Sequence, residues 1–375
     1  MATTFSRRSF GSAALGASLL GDLLATQETA LAQTGRADGK RRLREGFVSE
    51  WSVYKSLYLT PDGRILDTFN NKITHTEGQG TGMLLAAAAN DRTTFAQIWR
   101  WTQARLQRAD ALFYWKWDDR ASSPIPDPNN ATDGDIFIAW ALLRAGQSWA
   151  NDVYRVEAEK IIQSLEDNAI KVAASRPVIS PGTYNFTNSE GATLNLSYYI
   201  FPALQDFATF RKNGVWERVY ENGVAILEAA RFGKWQLPVD WITVSDDGMV
   251  ARAKGWPPRF GYDVVRVPLY LVWAQHDGAM LARFNAFADA YGGPRKAPSW
   301  WDSQTGRSSQ YDPEGGVVAV RQITRLASGR DWAQDTKKIQ KRYHQLPKLT
   351  EKDDYYPASL AMLSRLALID ILNRA

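Results

Sequence analysis

Apolar side chains recur every three or four residues in many separate segments of this chain. In Thr94 to Leu106, for example, Phe95, Ile98 and Trp99 fall on one stripe, which is the spacing of an amphipathic helix. The segment Gly134 to Ala145 is apolar almost all round, which is typical of a buried helix. The same spacing predicts further helices at Val153 to Leu165, Val215 to Ala230, Tyr262 to Gln275, Ala279 to Tyr291, Asp331 to His344 and Tyr356 to Arg374. Strand-like alternation is scarce, so the sequence predicts one mostly α-helical domain.

The chemistry available to the chain is narrow. None of its 375 residues is a cysteine, and its three histidines, His75, His276 and His344, are far apart in the sequence. Disulfides, thiolate nucleophiles and cysteine-ligated metals are therefore excluded, and no metal or other cofactor is expected. The chain has 15 Trp, 15 Tyr and 15 Phe, so its chemistry must depend on carboxylates, amides and aromatic surfaces.

Charge and hydropathy exclude two kinds of partner. The formal net charge is only +5, and acidic residues are interspersed through the domain, so nucleic acid is not expected as a ligand. No apolar run reaches the ~18 residues that a membrane span requires, so no stable membrane insertion is expected. Nothing in the sequence argues against a monomer.

The amino-terminal segment has the pattern of an export signal. The pair Arg7-Arg8 is followed by a weakly apolar stretch, Ala13 to Ala25, and then by Ala30-Leu31-Ala32. This order predicts a signal peptide of the twin-arginine type over residues 1–32, and hence a periplasmic or secreted bacterial protein. The basic cluster Lys40 to Arg44 predicts a linker over residues 33–45, so the folded domain would occupy residues 46–375.

A carboxylate among glycines forms the first candidate site. The string Thr74-His75-Thr76-Glu77-Gly78-Gln79-Gly80-Thr81-Gly82-Met83-Leu84 runs into an apolar segment. Glycines let a backbone approach a ligand closely or take a positive φ, and Glu77 beside them could point into a cleft. Alternatively, Glu77 only interacts with the dipole at a helix start.

Two further carboxylates precede the buried helix. They are Asp133 and Asp135 in Asn130-Ala131-Thr132-Asp133-Gly134-Asp135-Ile136. Thr132 or Asp133 is a natural helix cap, and Asp135 suits the first turn. Local spacing therefore leaves both a capping role and a catalytic role open.

The two strings together resemble the signatures of glycoside hydrolase family 8, the cellulase D family. The first string differs slightly, because Thr81 stands where an aromatic residue or Ser is usual, and the second matches over its full length. The similarity covers most of residues 46–370 and is strongest to the periplasmic endoglucanases that accompany bacterial cellulose synthases. It implies an all-α (α/α)6 toroid with a substrate cleft across one end.

The resemblance also implies an activity. An endo-β-1,4-glucanase (cellulase) would hydrolyse internal bonds of a cellulose chain with inversion of configuration, in functional association with cellulose synthase. Xylan, mixed-linkage glucan and chitosan are alternative substrates for the same scaffold. A glucan-binding protein without catalysis is an alternative of a different class.

The family pattern assigns a role to each carboxylate. Glu77 is expected to be the proton donor, which must be protonated near neutral pH. The general base is expected at Asp263, in Phe260-Gly261-Tyr262-Asp263-Val264-Val265-Arg266-Val267, where Arg266 three residues on would hold it ionised. Asp133 is then the residue that grips the sugar at the cleavage point. The opposite assignment of Asp133 and Asp263 stays open, and so does a simple i,i+3 ion pair.

Several other residues are expected to bind the sugar chain. Pyranose rings have a flat apolar face that packs on amphipathic aromatic rings, while their hydroxyls need polar neighbours. Strings that resemble the family's cleft segments supply Trp115, Trp117, Asn195, Tyr198, Trp241 and Arg266.

Overall fold

The computed structural model describes residues 38–276, 278–329 and 331–374, and helices account for most of its regular structure. Residues 38–58 are helical and are named α1. The helices that follow are α2 Thr76–Ala88, α3 Arg92–Leu106, α4 Thr132–Ser148, α5 Asp152–Asn168, α6 Phe201–Arg211, α7 Val215–Ala229, α8 Val267–Trp273, α9 Ala282–Ala290, α10 Gly315–Leu326, α11 Thr336–Gln345 and α12 Tyr355–Arg374. The prediction of a mostly α-helical domain is confirmed.

The strands are short and lie in the connections between helices. They are β1 Thr74–His75, β2 Lys116–Trp117, β3 Ile170–Ala173, β4 Arg176–Ile179, β5 Thr187–Asn188, β6 Gly191–Asn195, β7 Trp241–Val244, β8 Val250–Arg252, β9 Arg259–Phe260 and β10 Trp301–Asp302. They form the antiparallel pairs β1–β2, β3–β4 and β9–β10 and a four-stranded sheet in the order β5–β6–β7–β8. Several strands adjoin predicted site residues, since β1 leads directly into Glu77, β6 ends at Asn195 and β9 lies just before Asp263.

The core lies between the helices and is rich in aromatic side chains. Trp51, Trp140, Trp216 and Trp273 are each at most 1% exposed. Trp140 and Trp273 pack with their ring centroids 5.0 Å apart and join α4 to α8. Much of the high tryptophan content is therefore structural, because each buried indole removes a large apolar surface from water.

Two segments differ from the sequence expectation. Residues 38–45 belong to helix α1 rather than to a basic linker, and Leu43 is 1% exposed because the helix buries its apolar stripe. The helix expected over Tyr262 to Gln275 instead begins with a 3₁₀ turn, Val264–Arg266, before α8. Residues 33–37 and the predicted signal, residues 1–32, lie outside the described residues. None of the described helices is both long enough and apolar enough to cross a bilayer.

Candidate active site

Helices α2 and α4 pack at backbone distance, and this contact brings two carboxylates together. A Cβ on Gly80 would lie 2.5 Å from the Cβ of Phe137, and a Cβ on Gly134 would lie 2.0 Å from Oγ1 of Thr76. Side chains at these positions would force the helices apart. Glu77 and Asp133 lie in the first turns of these two helices, so the same contact places them near each other.

The glycines after Glu77 therefore act differently from the sequence expectation. Gly78, Gly80 and Gly82 are part of α2, and none of them has a positive φ. Gly80 serves the close approach of α2 to α4. A Cβ on Gly78 would meet Tyr355, and one on Gly82 would meet Ile65, so these two glycines let other parts of the protein pack closely against α2. These roles could not be recognised without knowing which residues lie opposite.

Neither helix uses the carboxylate in its first turn as its N-cap. His75 caps α2, since its Nδ1 accepts the Gly78 N–H at 3.1 Å. The N-cap of α4 is Ala131, which makes no side-chain capping bond, and Thr132 instead donates its hydroxyl to the Ser180 carbonyl at 2.7 Å. Neither Thr132 nor Asp133 is the N-cap of α4, although Asp133 Oδ1 accepts the N–H of the adjacent Gly134 at 2.8 Å.

A single buried arginine contacts three carboxylates. Arg266 Nη1 lies 2.9 Å from Oε2 of Glu77 and 3.5 Å from Oδ2 of Asp133, and Nη2 lies 3.4 Å from Oδ1 of Asp263. Nη2 also donates to Ser197 Oγ at 2.7 Å. The Arg266 side chain is 3% exposed. Its donors are thus engaged by protein groups, and the residue organises the carboxylates rather than presenting a free cation to substrate.

Asp133 and Asp263 differ in exposure, and burial raises the pKa of both. Burial raises the pKa of Asp133 to about 7 against the opposing charge of Arg266, and the negative charge of Glu77 adds to the rise. Burial also raises the pKa of Asp263, while Arg266 and the amide of Asn195 hold the rise back. The Asp133 side chain is 5% exposed and that of Asp263 is 35% exposed. Because one cation faces three carboxyl groups, the cluster retains a proton near neutral pH.

Strand β6 and the turn after it support Asp263 from the other side. Asn195 Oδ1 accepts the N–H of Ser197 at 3.0 Å and its hydroxyl at 2.7 Å. The buried amide nitrogen of Asn195 lies next to Asp263 and has no other partner among the described residues. Burial and the charges of Asp133 and Asp263 raise the pKa of Tyr198, so its hydroxyl stays protonated beside the carboxylates.

Two buried aspartates that were not predicted as site residues hold the surrounding backbone. Asp240 Oδ1 accepts backbone N–H groups at the turn that carries Asp263. Asp135 accepts the Phe113 N–H at 3.0 Å and the Asn130 amide at 2.7 Å, and burial raises its pKa to about 8 against these two bonds. Asp135 was visible in the second string, but nothing near Asp240 in the sequence indicates its partners.

A cavity of about 730 Å³ opens beside the carboxylates. Glu77, Asp263 and Arg266 line it, and Asp133 does not. Its aromatic wall consists of side chains that sequence reasoning missed, namely Phe69, Tyr262, Trp300, Tyr311, Tyr355 and Tyr356. Phe69 is 81% exposed and Tyr311 is 50% exposed, so the rim offers apolar ring faces to a ligand. The hydroxyls of Tyr262 and Tyr311 contact each other.

The three tryptophans predicted to bind sugar lie outside this cavity. Trp115 lies immediately before β2 and donates its indole N–H to Asp127 at 2.9 Å. Trp117 packs edge-on against Trp101 with its ring centroid 5.6 Å away, and the Arg105 guanidinium lies over it, so its ring is engaged by the protein. The Trp241 ring is stacked on Trp256 at 3.9 Å, which covers one of its faces.

No group of three or more side chains in the described part of the chain is arranged to hold a metal ion. The three carboxylates face a guanidinium instead, which occupies the position that a cation would take. Carboxyl groups placed in this way can exchange protons with a bound molecule.

Comparison with known proteins identifies related sequences and structures. The family described as "Glycosyl hydrolases family 8" matches residues 34–369. An endoglucanase from Cellulomonas uda is 41% identical over 73% of this chain and 76% of its own length. A probable endoglucanase from Novacetimonas hansenii is 38% identical over 86% of this chain and 91% of its own.

A solved structure shares the fold. The endo-beta-1,4-glucanase CMCax from Acetobacter xylinum superposes with a TM-score of 0.78 at 38% identity, covering 86% of this chain and 98% of that chain. The expectation of an (α/α)6 architecture is confirmed by this likeness together with the family match.

Proposed function

This chain belongs to glycosyl hydrolase family 8, and we propose that it is an endo-β-1,4-glucanase that cleaves cellulose chains with inversion. The relatives that cover most of the chain carry the names endoglucanase and endo-beta-1,4-glucanase, which supports the choice of substrate. The aromatic wall of the cavity suits the apolar faces of glucose rings.

Glu77 is assigned as the proton donor and Asp263 as the general base. The observation that carries this assignment is that both line the cavity, with Arg266 between them. Asp263 is 35% exposed, as a residue that must hold an attacking water needs to be. Asp263 contacts Nη2 of Arg266, whereas Glu77 contacts Nη1.

Asp133 suits the role of base less well. It contacts the same Arg266 nitrogen as Glu77, so the facing oxygens of these two carboxyl groups lie no farther apart than about the lower limit (~6.5 Å) for an inverting pair. Asp133 is also nearly sealed from the cavity. Its expected role as the residue that grips the sugar at the cleavage point stays a prediction, which requires the substrate to reach a carboxyl group that is only 5% exposed.

The proposed reaction is a single displacement. Glu77 gives its proton to the glycosidic oxygen as the bond from that oxygen to the anomeric carbon breaks. A water molecule attacks the opposite face of the ring, and Asp263 accepts the proton that this water loses. The enzyme ends with Glu77 ionised and Asp263 protonated, and exchange with solvent restores both.

Binding is proposed to involve two groups of residues. The aromatic wall of the cavity holds one part of the glucan, and five residues stay predictions for the other part, namely Trp115, Trp117, Asn195, Tyr198 and the stacked Trp241. Export by a twin-arginine signal to the periplasm or medium, and association with cellulose synthesis, are further proposals. The relatives' names support only the hydrolase activity.

The Glu77→Gln variant tests the function. Glutamine keeps the shape of the side chain but cannot donate the proton, so turnover of carboxymethylcellulose should fall by about 10²–10⁴-fold while cello-oligosaccharide binding persists. Proton NMR of fresh wild-type products should show the α anomer first. Near-normal activity of the variant, or a β anomer formed first, would contradict the mechanism. Parallel assays on xylan, lichenan and chitosan test the choice of substrate.

A further inference from the structure

A buried carboxylate lies directly behind Asp263. Asp240, at the residue before β7, is 6% exposed. Its Oδ1 accepts three backbone N–H groups, from Gly261 at 3.1 Å, Asp263 at 3.2 Å and Val264 at 3.1 Å. One carboxylate oxygen therefore gathers the donors of the turn that presents Asp263 to the cavity.

No other side chain in the described part of the chain accepts these three N–H groups, although the Tyr356 hydroxyl and Arg266 Nε donate to carbonyls of the same turn. The 3₁₀ turn Val264–Arg266 has no side-chain cap of its own, so its first N–H groups need an outside acceptor. The space behind the turn is closed, because a Cβ on Gly261 would lie 2.4 Å from Oδ2 of Asp240. The Asp240 N–H also donates to the Arg259 carbonyl at 2.9 Å, which ties the carboxylate to the strand that enters the turn.

We propose that Asp240 is a positioning residue for the general base, holding backbone residues 261–264 so that the Asp263 carboxylate points at the attacking water. The inference rests on the proposed role of Asp263. Asp240 does not line the cavity, and it acts only through the turn. A shift of a reacting group by about 1 Å can cost ~10²-fold in rate, so this support matters for turnover more than for substrate binding.

The charges around Asp240 make the support depend on pH. Arg259 Nε from β9 lies 3.8 Å from Oδ2, and Asp263 faces it from the turn. Burial and the charge of Asp263 raise the pKa of Asp240 to about 7, against the N–H groups and Arg259. Hydrogen bonds to a neutral carboxyl are weaker than those to an ionised one. The three N–H bonds to Asp240 should therefore weaken as pH falls below neutrality.

Two variants and a control test the inference. Asp240→Ala removes the acceptor, whereas Asp240→Asn keeps an oxygen for the three N–H groups but cannot titrate. The control is Ser303→Ala. Ser303 is buried and donates its hydroxyl to the Pro258 carbonyl at 2.7 Å, so it supports the same region without touching the turn.

We expect Asp240→Ala to lower kcat by about 10–100-fold with KM nearly unchanged. Asp240→Asn should recover kcat to within a few-fold of wild type at pH 7.5 and should show a shallower acidic limb of the kcat profile. Ser303→Ala should keep kcat even where its Tm falls as far as that of Asp240→Ala. If Asp240→Ala is too unstable to purify, the Asp240→Asn pH profile decides.

Wild-type kcat in Asp240→Ala, an equal loss in Ser303→Ala, or an unchanged acidic limb in Asp240→Asn would each overturn the inference. Asp263→Asn separates this result from the proposed function. An inactive Asp263→Asn together with a fully active Asp240→Ala overturns the positioning role alone. An active Asp263→Asn overturns the base assignment and the positioning role with it.

Discussion

Arg266 Nη1 lies 2.9 Å from Oε2 of Glu77, in a pair that joins the first turn of α2 to the 3₁₀ turn ahead of α8. The same guanidinium reaches Asp133 and Asp263, so three carboxyl groups depend on one buried cation. The fork of a guanidinium can contact several oxygens at fixed angles, which an ammonium group cannot do. Arg266 therefore determines both the charge and the geometry of the site.

Replacing Arg266 should damage activity and stability together. Arg266→Met leaves buried carboxylates without a counterion, and breaking such a pair costs about 3–5 kcal/mol. We expect kcat to fall by at least ~10²-fold, because the carboxylates lose their common anchor. Arg266→Lys, which keeps the charge without the fork, should recover stability better than kcat. Kinetics and urea unfolding at pH 7.5 measure both, and wild-type kcat in Arg266→Lys would contradict the geometric role.

The assignment of the base predicts different behaviour for two aspartates. Asp263→Asn should lower kcat by about 10²–10⁴-fold, because no group then accepts the proton of the attacking water. Azide needs no deprotonation, so it should restore turnover in Asp263→Asn and yield the α-glycosyl azide. Asp133→Asn should lose activity without azide rescue. Mass spectrometry and NMR identify the products. Azide rescue of Asp133→Asn but not of Asp263→Asn would reverse the assignment.

The close contact between α2 and α4 predicts a steric effect on the two carboxylates that lie beside it. Gly134→Ala would place a methyl group 2.0 Å from Oγ1 of Thr76, and overpacking of this kind costs about 1–3 kcal/mol. The shift should also separate Glu77 from Asp133 and lower kcat. Gly315→Ala at the start of α10 is the matched control, since its nearest contact would be an ordinary 3.4 Å. Equal Tm values for Gly134→Ala and Gly315→Ala would contradict the prediction, because α2 and α4 could then separate without a loss of stability.

Stability should decrease as pH rises from about 5 to 8.5. Burial raises the pKa of Asp135 to about 8 and that of Asp133 to about 7, whereas an unfolded Asp titrates near ~4. The native state therefore binds more protons in this range, and its stabilisation is lost as pH passes through these raised values. Wild-type Tm should be higher at pH 5.5 than at pH 8.5.

The Asp135→Asn variant isolates one part of this effect. It stays neutral at every pH, so the difference in Tm between pH 5.5 and 8.5 should shrink. Asp246→Asn, which removes an exposed carboxylate, is the control and should keep the wild-type difference. A Tm that rises steadily towards pH 8.5 in the wild type would contradict the prediction.

Much of the fold and part of the site could be predicted from local sequence. Helices such as α3 and α4 follow from apolar residues at three- and four-residue spacing, which any segment reveals by itself. Glu77 and Asp133 stand in contiguous strings, and Arg266 was expected to hold Asp263 because they are three residues apart. These inferences depend only on neighbours along the chain.

The tertiary structure alone decided the remaining features. Trp117 and Tyr311 are both aromatic, yet packing engages the first ring and leaves the second at the rim of the cavity. The turn at Asp263 depends on Asp240, which precedes β7, is more than twenty residues away in the sequence and has no distinguishing local pattern. Sequence determined which segments become helices because hydrogen bonding and periodicity are local. Which side chains meet at the site was decided by contacts between distant segments, and these form only when the helices pack.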